Sequence, residues 1–231
     1  MSKDFILIPG LLCSHDLWLD QIDAFEADYD LTLFDHTRHD NLPDMVGAFL
    51  TDAPDRFTLA GLSMGGYIAF EIMKQAGERV EKLILLDSNA RADRQPQIDM
   101  REDLIRRAAT EDIRDIAREL TPYLIHPDRL NNTELCDRII DMAAEVGAEA
   151  FQRQQQALIA RPDSRGFLPQ ILCPTLIICG MQDALTPPKV HREMADLIPG
   201  AIFHQIENCG HLSTMECGDE VNKLMADFLV K

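Results

Sequence analysis

Short apolar segments alternate with amphipathic helical patterns along most of the chain. The apolar segments are four or five residues long and lie at 5–8, 31–34, 57–60, 83–86, 175–179 and 202–206. Between and after them, apolar residues recur at helical spacing, as in Val221, Leu224, Met225 and Phe228. Short buried runs separated by helices are typical of a parallel sheet built from β-α-β units. We therefore expect an α/β fold with a mostly parallel, doubly wound sheet of about six strands.

Residues that favour helix ends support this alternation. Ser14 precedes a helical pattern that contains Trp18 and Ile22, and serine is a good N-terminal cap. Gly77 follows the pattern after the third apolar segment, as expected for a helix C-terminus. Pro188 suits the first turn of the helix that follows the fifth segment. These residues place helices after the first, third and fifth strands.

The region between the fourth and fifth segments breaks the alternation. It shows helical patterns, such as Leu135, Ile139 and Met142, but no convincing strand. About 80 residues separate the two segments, whereas a parallel crossover needs only about a dozen. Ordinary crossover helices are the alternative interpretation. We expect an inserted helical lid at 88–168, with 1–87 and 169–231 forming the core.

Composition and charge narrow the class of protein. The 231 residues suit one domain with an insertion. The formal net charge of −17 disfavours nucleic acid and anionic membrane surfaces as partners. No apolar run approaches the roughly 20 residues of a membrane-spanning helix, and the start of the chain does not resemble a signal peptide. We expect a soluble cytoplasmic protein that acts on a small molecule.

The six cysteines form no C-x-x-C pair, which favours reduced thiols packed as small apolar residues. A zinc site using Cys209 and His211 is the alternative, but their spacing matches no usual set of zinc ligands. We therefore expect no metal ion and no other cofactor.

The segment Gly61-Leu62-Ser63-Met64-Gly65 follows the third apolar run and precedes a helical pattern. A G-x-S-x-G motif in this context is typical of a tight strand-to-helix turn that exposes a nucleophilic serine. The glycines two residues to either side leave room for the crossing chains. An ordinary turn is the alternative. We expect Ser63 to be the nucleophile.

A serine hydroxyl needs a base, and the base needs an acid that fixes its tautomer. Of the seven histidines, only His211 lies in a Gly-His step just after the last apolar segment. Asp183 and Asp87 both follow strands, and either gives the chain order Ser, Asp, His. We favour Asp183 as the acid and keep Asp87 as the alternative.

Four segments together resemble the α/β-hydrolase fold superfamily, and most of all its small lidded esterases: Leu7-Ile8-Pro9-Gly10-Leu11-Leu12, Gly61-Leu62-Ser63-Met64-Gly65-Gly66, Gly180-Met181-Gln182-Asp183 and Gly210-His211. The resemblance covers essentially the whole chain and implies that the amides of Leu11 and Met64 form the oxyanion hole. Two departures stand out. Pro9 occupies the position where relatives usually carry histidine, and the N-terminal antiparallel hairpin is missing.

These observations predict a serine hydrolase that cleaves a carboxylic ester, or a related thioester or lactone, through an acyl-enzyme. One alternative is a lyase or C–C bond hydrolase that uses the same three residues. Another is a receptor that binds a small molecule in the same pocket without turnover. The sequence does not specify the acyl group, the alcohol group or the oligomeric state.

The predicted lid has an unusual distribution of cations. It holds 12 of the 16 arginines and no lysine, alongside 15 acidic residues. Solvated ion pairs on helix surfaces are one explanation. The other is that some arginines bind an anionic substrate group, since the guanidinium fork matches a carboxylate. Arg91 and Arg94, just past the fourth strand, are the candidates for that role, and His15 is a candidate to line the pocket.

Overall fold

The computed structural model describes residues 3–230. Its strands form one six-stranded, fully parallel sheet in the order β2-β1-β3-β4-β5-β6. The strands are β1 (Asp4–Ile8), β2 (Asp30–Leu33), β3 (Phe57–Leu62), β4 (Val80–Leu86), β5 (Thr175–Gly180) and β6 (Ile202–Ile206). This confirms the predicted α/β class and the six predicted segments.

Ten α-helices lie within the described residues. They are α1 (Leu19–Phe25), α2 (Leu42–Asp52), α3 (Met64–Ala76), α4 (Gln95–Ala108), α5 (Ile113–Leu124), α6 (Thr133–Val146), α7 (Ala148–Ala160), α8 (Pro188–Leu197), α9 (Ser213–Glu216) and α10 (Gly218–Leu229). Short 3-10 helices add His15–Trp18, Gly77–Arg79, Pro127–Arg129 and Leu168–Gln170. Ser14 therefore caps a 3-10 turn that runs into α1, rather than α1 itself.

The helices cover both faces of the sheet. Alternate residues of β1 enter opposite cores, with Ile6 and Ile8 in one and Phe5 and Leu7 in the other, because successive side chains of a strand point to opposite faces. The first core includes residues of α2, α3 and α8, and the second includes residues of α1 and α10. The two edge strands, β2 and β6, are partly exposed because each has a neighbour on one side only.

The strand order creates a switch point beside β1. The chain goes from β1 outward to β2, then returns to form β3 on the other side of β1. In open parallel sheets, ligands bind outside the carboxyl ends of the strands at such a point, because the adjoining loops lead in opposite directions. The loops after β1 and β3 therefore frame the expected site.

Helices α4 to α7 occupy the chain between β4 and β5, and no strand lies there. Helix α4 packs against α7, and α5 packs against α6. Buried residues of these helices, such as Ile116 and Phe151, form a third apolar cluster with Leu12 of the loop after β1. Across residues 3–230, no helix has both the length and the apolar character needed to cross a membrane.

Candidate active site

A cavity of about 470 Å³ lies at the carboxyl end of the sheet. Its lining combines the loops after β1 and β3, represented by Leu11 and Ser63, with residues of α4 to α7. Most of the lining is apolar, and His211 also faces the cavity. This combination suits a small, largely apolar ligand held against a few polar groups.

Ser63 lies at the turn from β3 into α3, where the backbone is strained. Its φ of 53° and ψ of −110° fall in a region that side-chain-bearing residues rarely adopt. The turn is tight enough that a Cβ at Gly61 would collide with the Gly65 carbonyl oxygen, and one at Gly65 would collide with the Ile8 carbonyl oxygen. The two glycines thus allow α3 to pack against β1 and leave the Ser63 hydroxyl at the cavity.

The structure brings Ser63, His211 and Asp183 into one hydrogen-bonded chain. The Ser63 Oγ lies 2.8 Å from His211 Nε2, and His211 Nδ1 lies 2.8 Å from Asp183 Oδ2. Asp183 also accepts hydrogen bonds from the Leu185 and Thr186 amides and from the Thr186 hydroxyl. These bonds fix the carboxylate, so His211 Nδ1–H donates to Asp183 and Nε2 accepts from the serine hydroxyl.

Asp87, the alternative acid, has different partners. Its carboxyl accepts hydrogen bonds from the amides of Gly180, at 2.9 Å, and Ser213, at 3.2 Å, and it makes no hydrogen bond to His211. The side chain is fully buried. Asp87 therefore supports the ends of two neighbouring segments, while Asp183 orients the imidazole.

The electrostatics of the three buried acid and base groups follow from these contacts. Burial lowers the pKa of His211, but the charge and hydrogen bond of the adjacent Asp183, together with the charges of Asp87 and Glu216, raise it above its ordinary value. Burial acts to raise the pKa of Asp183, yet His211 and the Thr186 hydrogen bonds hold it below its usual range. Burial, followed by the nearby Asp183 charge, raises the pKa of Asp87 to about 8. Asp183 is therefore the ionised partner of His211.

The oxyanion hole is expected to be formed by the amides of Leu11 and Met64. Leu11 lines the cavity, and Met64 is the first residue of α3. Within residues 3–230, neither amide donates a hydrogen bond to a protein acceptor. Both are therefore available to a ligand oxygen. The next residue, Leu12, has a φ of 58°, and its amide donates a hydrogen bond to the side-chain oxygen of Gln154 in α7 at 3.2 Å.

Three residues predicted to contact substrate do not line this cavity. Arg91 is held by Glu193 through two hydrogen bonds of 2.8 and 3.0 Å. Arg94 is exposed at the start of α4, and His15 is exposed beside Glu145. We expected Arg91 and Arg94 near the cavity because they follow β4, but the Arg91 side chain pairs with Glu193 and Arg94 is exposed.

Other arginines of the same region do line the cavity, and sequence reasoning missed them individually. Arg101, Arg161, Asp93 and Gln155 form a hydrogen-bonded group on its wall, which we call the arginine wall. The concentration of arginine at 88–168 signalled this chemistry. It did not single out these residues, because their partners lie 8 to 68 positions away in the chain.

The side chains of Asp87, Cys179, Asp183 and His191 place potential metal-binding atoms within 4.8 Å of one another. All four side chains already make hydrogen bonds within the protein, including the Cys179 thiol, which donates to the Gly180 carbonyl oxygen at 3.0 Å. His191 Nε2 accepts from the Ser88 amide, and both carboxylates accept from backbone amides. We therefore interpret this group as the buried support of Asp183 and His211.

Comparison with known proteins agrees with this architecture. A family model for the alpha/beta hydrolase fold matches residues 53–216. An esterase from Thermogutta terrifontis is 27% identical with a TM-score of 0.88, over 98% of this chain and 89% of that chain. An enol-lactonase from Burkholderia xenovorans is 23% identical with a TM-score of 0.90, over 100% and 92% of the two chains. A pimeloyl-(acyl-carrier protein) methyl ester esterase from Vibrio atlanticus is 22% identical over 100% of this chain and 95% of that protein. Because the family model spans most of the chain, this protein belongs to the alpha/beta hydrolase fold family.

Proposed function

We propose that this protein is a serine hydrolase that cleaves a small carboxylic ester through an acyl-enzyme. The observation that carries the proposal is the chain of two 2.8 Å contacts from Ser63 through His211 to Asp183, which ends at a cavity of ligand size. The similarity to an esterase and an enol-lactonase supports an ester or lactone carbonyl as the target.

In the proposed reaction, His211 Nε2 removes the proton from the Ser63 hydroxyl as Oγ attacks the carbonyl carbon. The oxyanion that forms accepts hydrogen bonds from the amides of Leu11 and Met64. Each such donor contributes roughly 3–4 kcal/mol to transition-state stability in related chemistry. His211 then protonates the leaving alkoxide. Water, activated by the same imidazole, cleaves the acyl-enzyme and restores the serine.

We further propose that residues 88–168 act as a lid. Helices α4 to α7 supply much of the cavity lining, and they join the core through the segments that follow β4 and precede β5. In this arrangement the core supplies the reacting groups, and the helices determine which substrates fit.

A serine-directed fluorophosphonate tests the nucleophile. We expect one label on the native protein, located at Ser63 by peptide mass spectrometry, and hydrolysis of at least one neutral p-nitrophenyl ester in a series from acetate to octanoate. Ser63→Ala should lose the label and lower kcat by about 10⁴-fold or more. Ser14→Ala, the same change at a helix cap, is the matched control and should keep both.

Other outcomes would contradict the proposal. Labelling and turnover that survive Ser63→Ala would place the nucleophile elsewhere. Stoichiometric ligand binding without labelling would favour a receptor. Turnover of a C–C or cyanohydrin substrate without a trapped acyl-enzyme would favour a lyase on the same residues.

A further inference from the structure

Two arginines share one buried carboxylate on the cavity wall. Arg101 Nε donates to Asp93 Oδ2 and Arg161 Nη2 donates to Asp93 Oδ1, each at 2.5 Å. The Asp93 side chain is 1% exposed and that of Arg161 is 4% exposed. Burial acts to raise the pKa of Asp93, but the two guanidinium groups hold it below its usual range. Two positive charges and one negative charge leave this part of the wall with a net charge of +1.

The same wall has hydrogen-bond donors that are not used. The Gln155 side-chain oxygen accepts from Arg101 Nη1 at 2.7 Å, which orients the amide so that Nε2 faces away from Arg101. This Nε2 and the Arg161 Nε are buried without a protein acceptor among residues 3–230. Buried donors without partners are costly, so these two indicate that the wall is not optimised for stability alone.

The other charged residues of the cavity lining pair among themselves or with neighbouring groups, and none of them pairs with Arg101 or Arg161. Arg107 with Glu111 and Glu119 forms a group of net charge −1, and Asp103 is balanced by Arg106. His211 is bound to Asp183. The excess positive charge therefore remains on the side of the cavity formed by Arg101 and Arg161. A partly buried cation without a counter-charge favours an anion at the same place.

The position of Arg161 relates the wall to the nucleophile. Its guanidinium carbon lies 4.3 Å from the centre of the Tyr67 ring. Tyr67 follows Ser63 by four residues in α3, which is about one helical turn or roughly 6 Å along the axis. One small ligand with its carbonyl at Ser63 can therefore reach the wall with a group a few bonds further along.

We propose that the arginine wall is a carboxylate subsite, and that the substrate is an ester-like molecule with a second, free carboxylate a few bonds from the scissile carbonyl. The ligand carboxylate accepts hydrogen bonds from the Arg101 guanidinium, whose side chain is 13% exposed, and it neutralises the net positive charge of the wall. This inference rests on the proposed function, because the hydrolysed bond is assigned by Ser63. The proposal places the substrate carboxylate at the arginine wall rather than at Arg91 and Arg94.

The first test compares two esters of equal chain length. Monomethyl glutarate carries a free carboxylate, and methyl pentanoate carries a methyl group at that position. We expect kcat/KM for the anionic ester to exceed that for the neutral ester by about tenfold or more, mainly through KM, as for hydrogen bonds to a charged group. Equal values, or a preference for the neutral ester, would overturn the proposal.

Variants separate a subsite from a structural network. Arg101→Gln should lower the ratio of the two kcat/KM values about tenfold, and Arg161→Gln should do the same. Arg118→Gln is the matched control, because this arginine pairs with Asp115 on the surface of α5 and does not line the cavity. A network that only holds helices together would lower the melting temperature and both rates without changing the ratio. Because Arg161 is the more buried, Arg101→Gln decides the outcome if the Arg161 variant does not fold.

A binding measurement keeps this inference distinct from the proposed function. Titration calorimetry of the Ser63→Ala protein should show monomethyl glutarate binding about tenfold more tightly than methyl pentanoate, and Arg101→Gln in the same background should remove the difference. Selective binding of monomethyl glutarate, without ester hydrolysis by the native protein, would support the carboxylate subsite and overturn the proposed esterase activity. Hydrolysis of neutral esters without selective binding of monomethyl glutarate would support the esterase and overturn the carboxylate subsite.

Discussion

At the scale of single residues, the site is built on strained backbone at the ends of strands. Within residues 3–230, the non-glycine residues with positive φ are Leu12, Ser63, Asp87 and Asn208, which follow β1, β3, β4 and β6. Strain of this kind persists where surrounding contacts impose it. Ser63 could be predicted because glycines surround it in the sequence. Leu12 and Asp87 could not, because the groups that hold them come from distant segments.

The two candidates for the catalytic acid, Asp183 and Asp87, predict different effects when each is replaced by asparagine. Asp183→Asn should lower kcat/KM by about 10⁴-fold, because the asparagine no longer holds the imidazole in the tautomer that accepts from Ser63. Asp87→Asn should reduce activity by less than about tenfold and act mainly on stability, because the asparagine NH2 group cannot accept the hydrogen bond from one of the two backbone amides. Steady-state kinetics on one p-nitrophenyl ester, with melting curves for both variants, measure this difference. A larger loss of kcat/KM in Asp87→Asn than in Asp183→Asn would identify Asp87 as the catalytic acid.

The pKa of His211 gives a second prediction at the same scale. The imidazole must be neutral to accept a proton, and Asp183 raises its pKa above the ordinary value near 6.5. Activity in the native protein should therefore rise with pH and reach half its maximum above pH 6.5. In Asp183→Asn the carboxylate is gone while burial remains, so the His211 pKa should fall. NMR titration of the ring nitrogens measures both values, and an unchanged pKa in the variant would contradict the assigned pairing.

At the scale of elements, strands and helix ends were predictable because short stretches of sequence specify them. The β5 run and Pro188 at the start of α8 are where the sequence predicted them. The region between β4 and β5 was predictable as helical, but α4 was not identified as a separate helix. The way these helices meet the core depends on long-range contacts. One example is the bond from the Leu12 amide to Gln154, across 142 positions.

Helix α7 therefore supports the loop that holds the Leu11 amide. Gln154→Leu should leave the Leu12 amide buried without an acceptor, at a cost of about 1–3 kcal/mol. We expect the melting temperature to fall by several degrees and kcat to fall about tenfold with little change in KM, because displacing the Leu11 amide, our proposed oxyanion donor, would weaken the transition state more than binding. Gln156→Leu, an exposed position two residues on, is the matched control. Equal effects of the two changes would mean that α7 does not position the loop.

At the scale of the whole molecule, charge acts at two distances. The net charge of −17 creates a negative field around the protein, while the arginine wall is locally positive. At 10 mM salt the screening length is about 30 Å, larger than a radius of gyration of about 17 Å for this chain length. The entire net charge then opposes the approach of an anionic substrate. The sign of this field could be predicted from the composition, but only the folded contacts reveal the opposite charge on the cavity wall.

Ionic strength should therefore separate the two effects. Raising salt from 10 to 300 mM shortens the screening length to about 6 Å, which suppresses the long-range repulsion and leaves the buried contacts nearly intact. We expect kcat/KM for monomethyl glutarate to rise about twofold or more, while methyl pentanoate, the neutral control, stays constant. The same series in sodium and potassium chloride excludes an effect of one cation. A decrease with salt for the anionic ester would instead mean that the cavity mouth attracts anions, against the sign of the net charge.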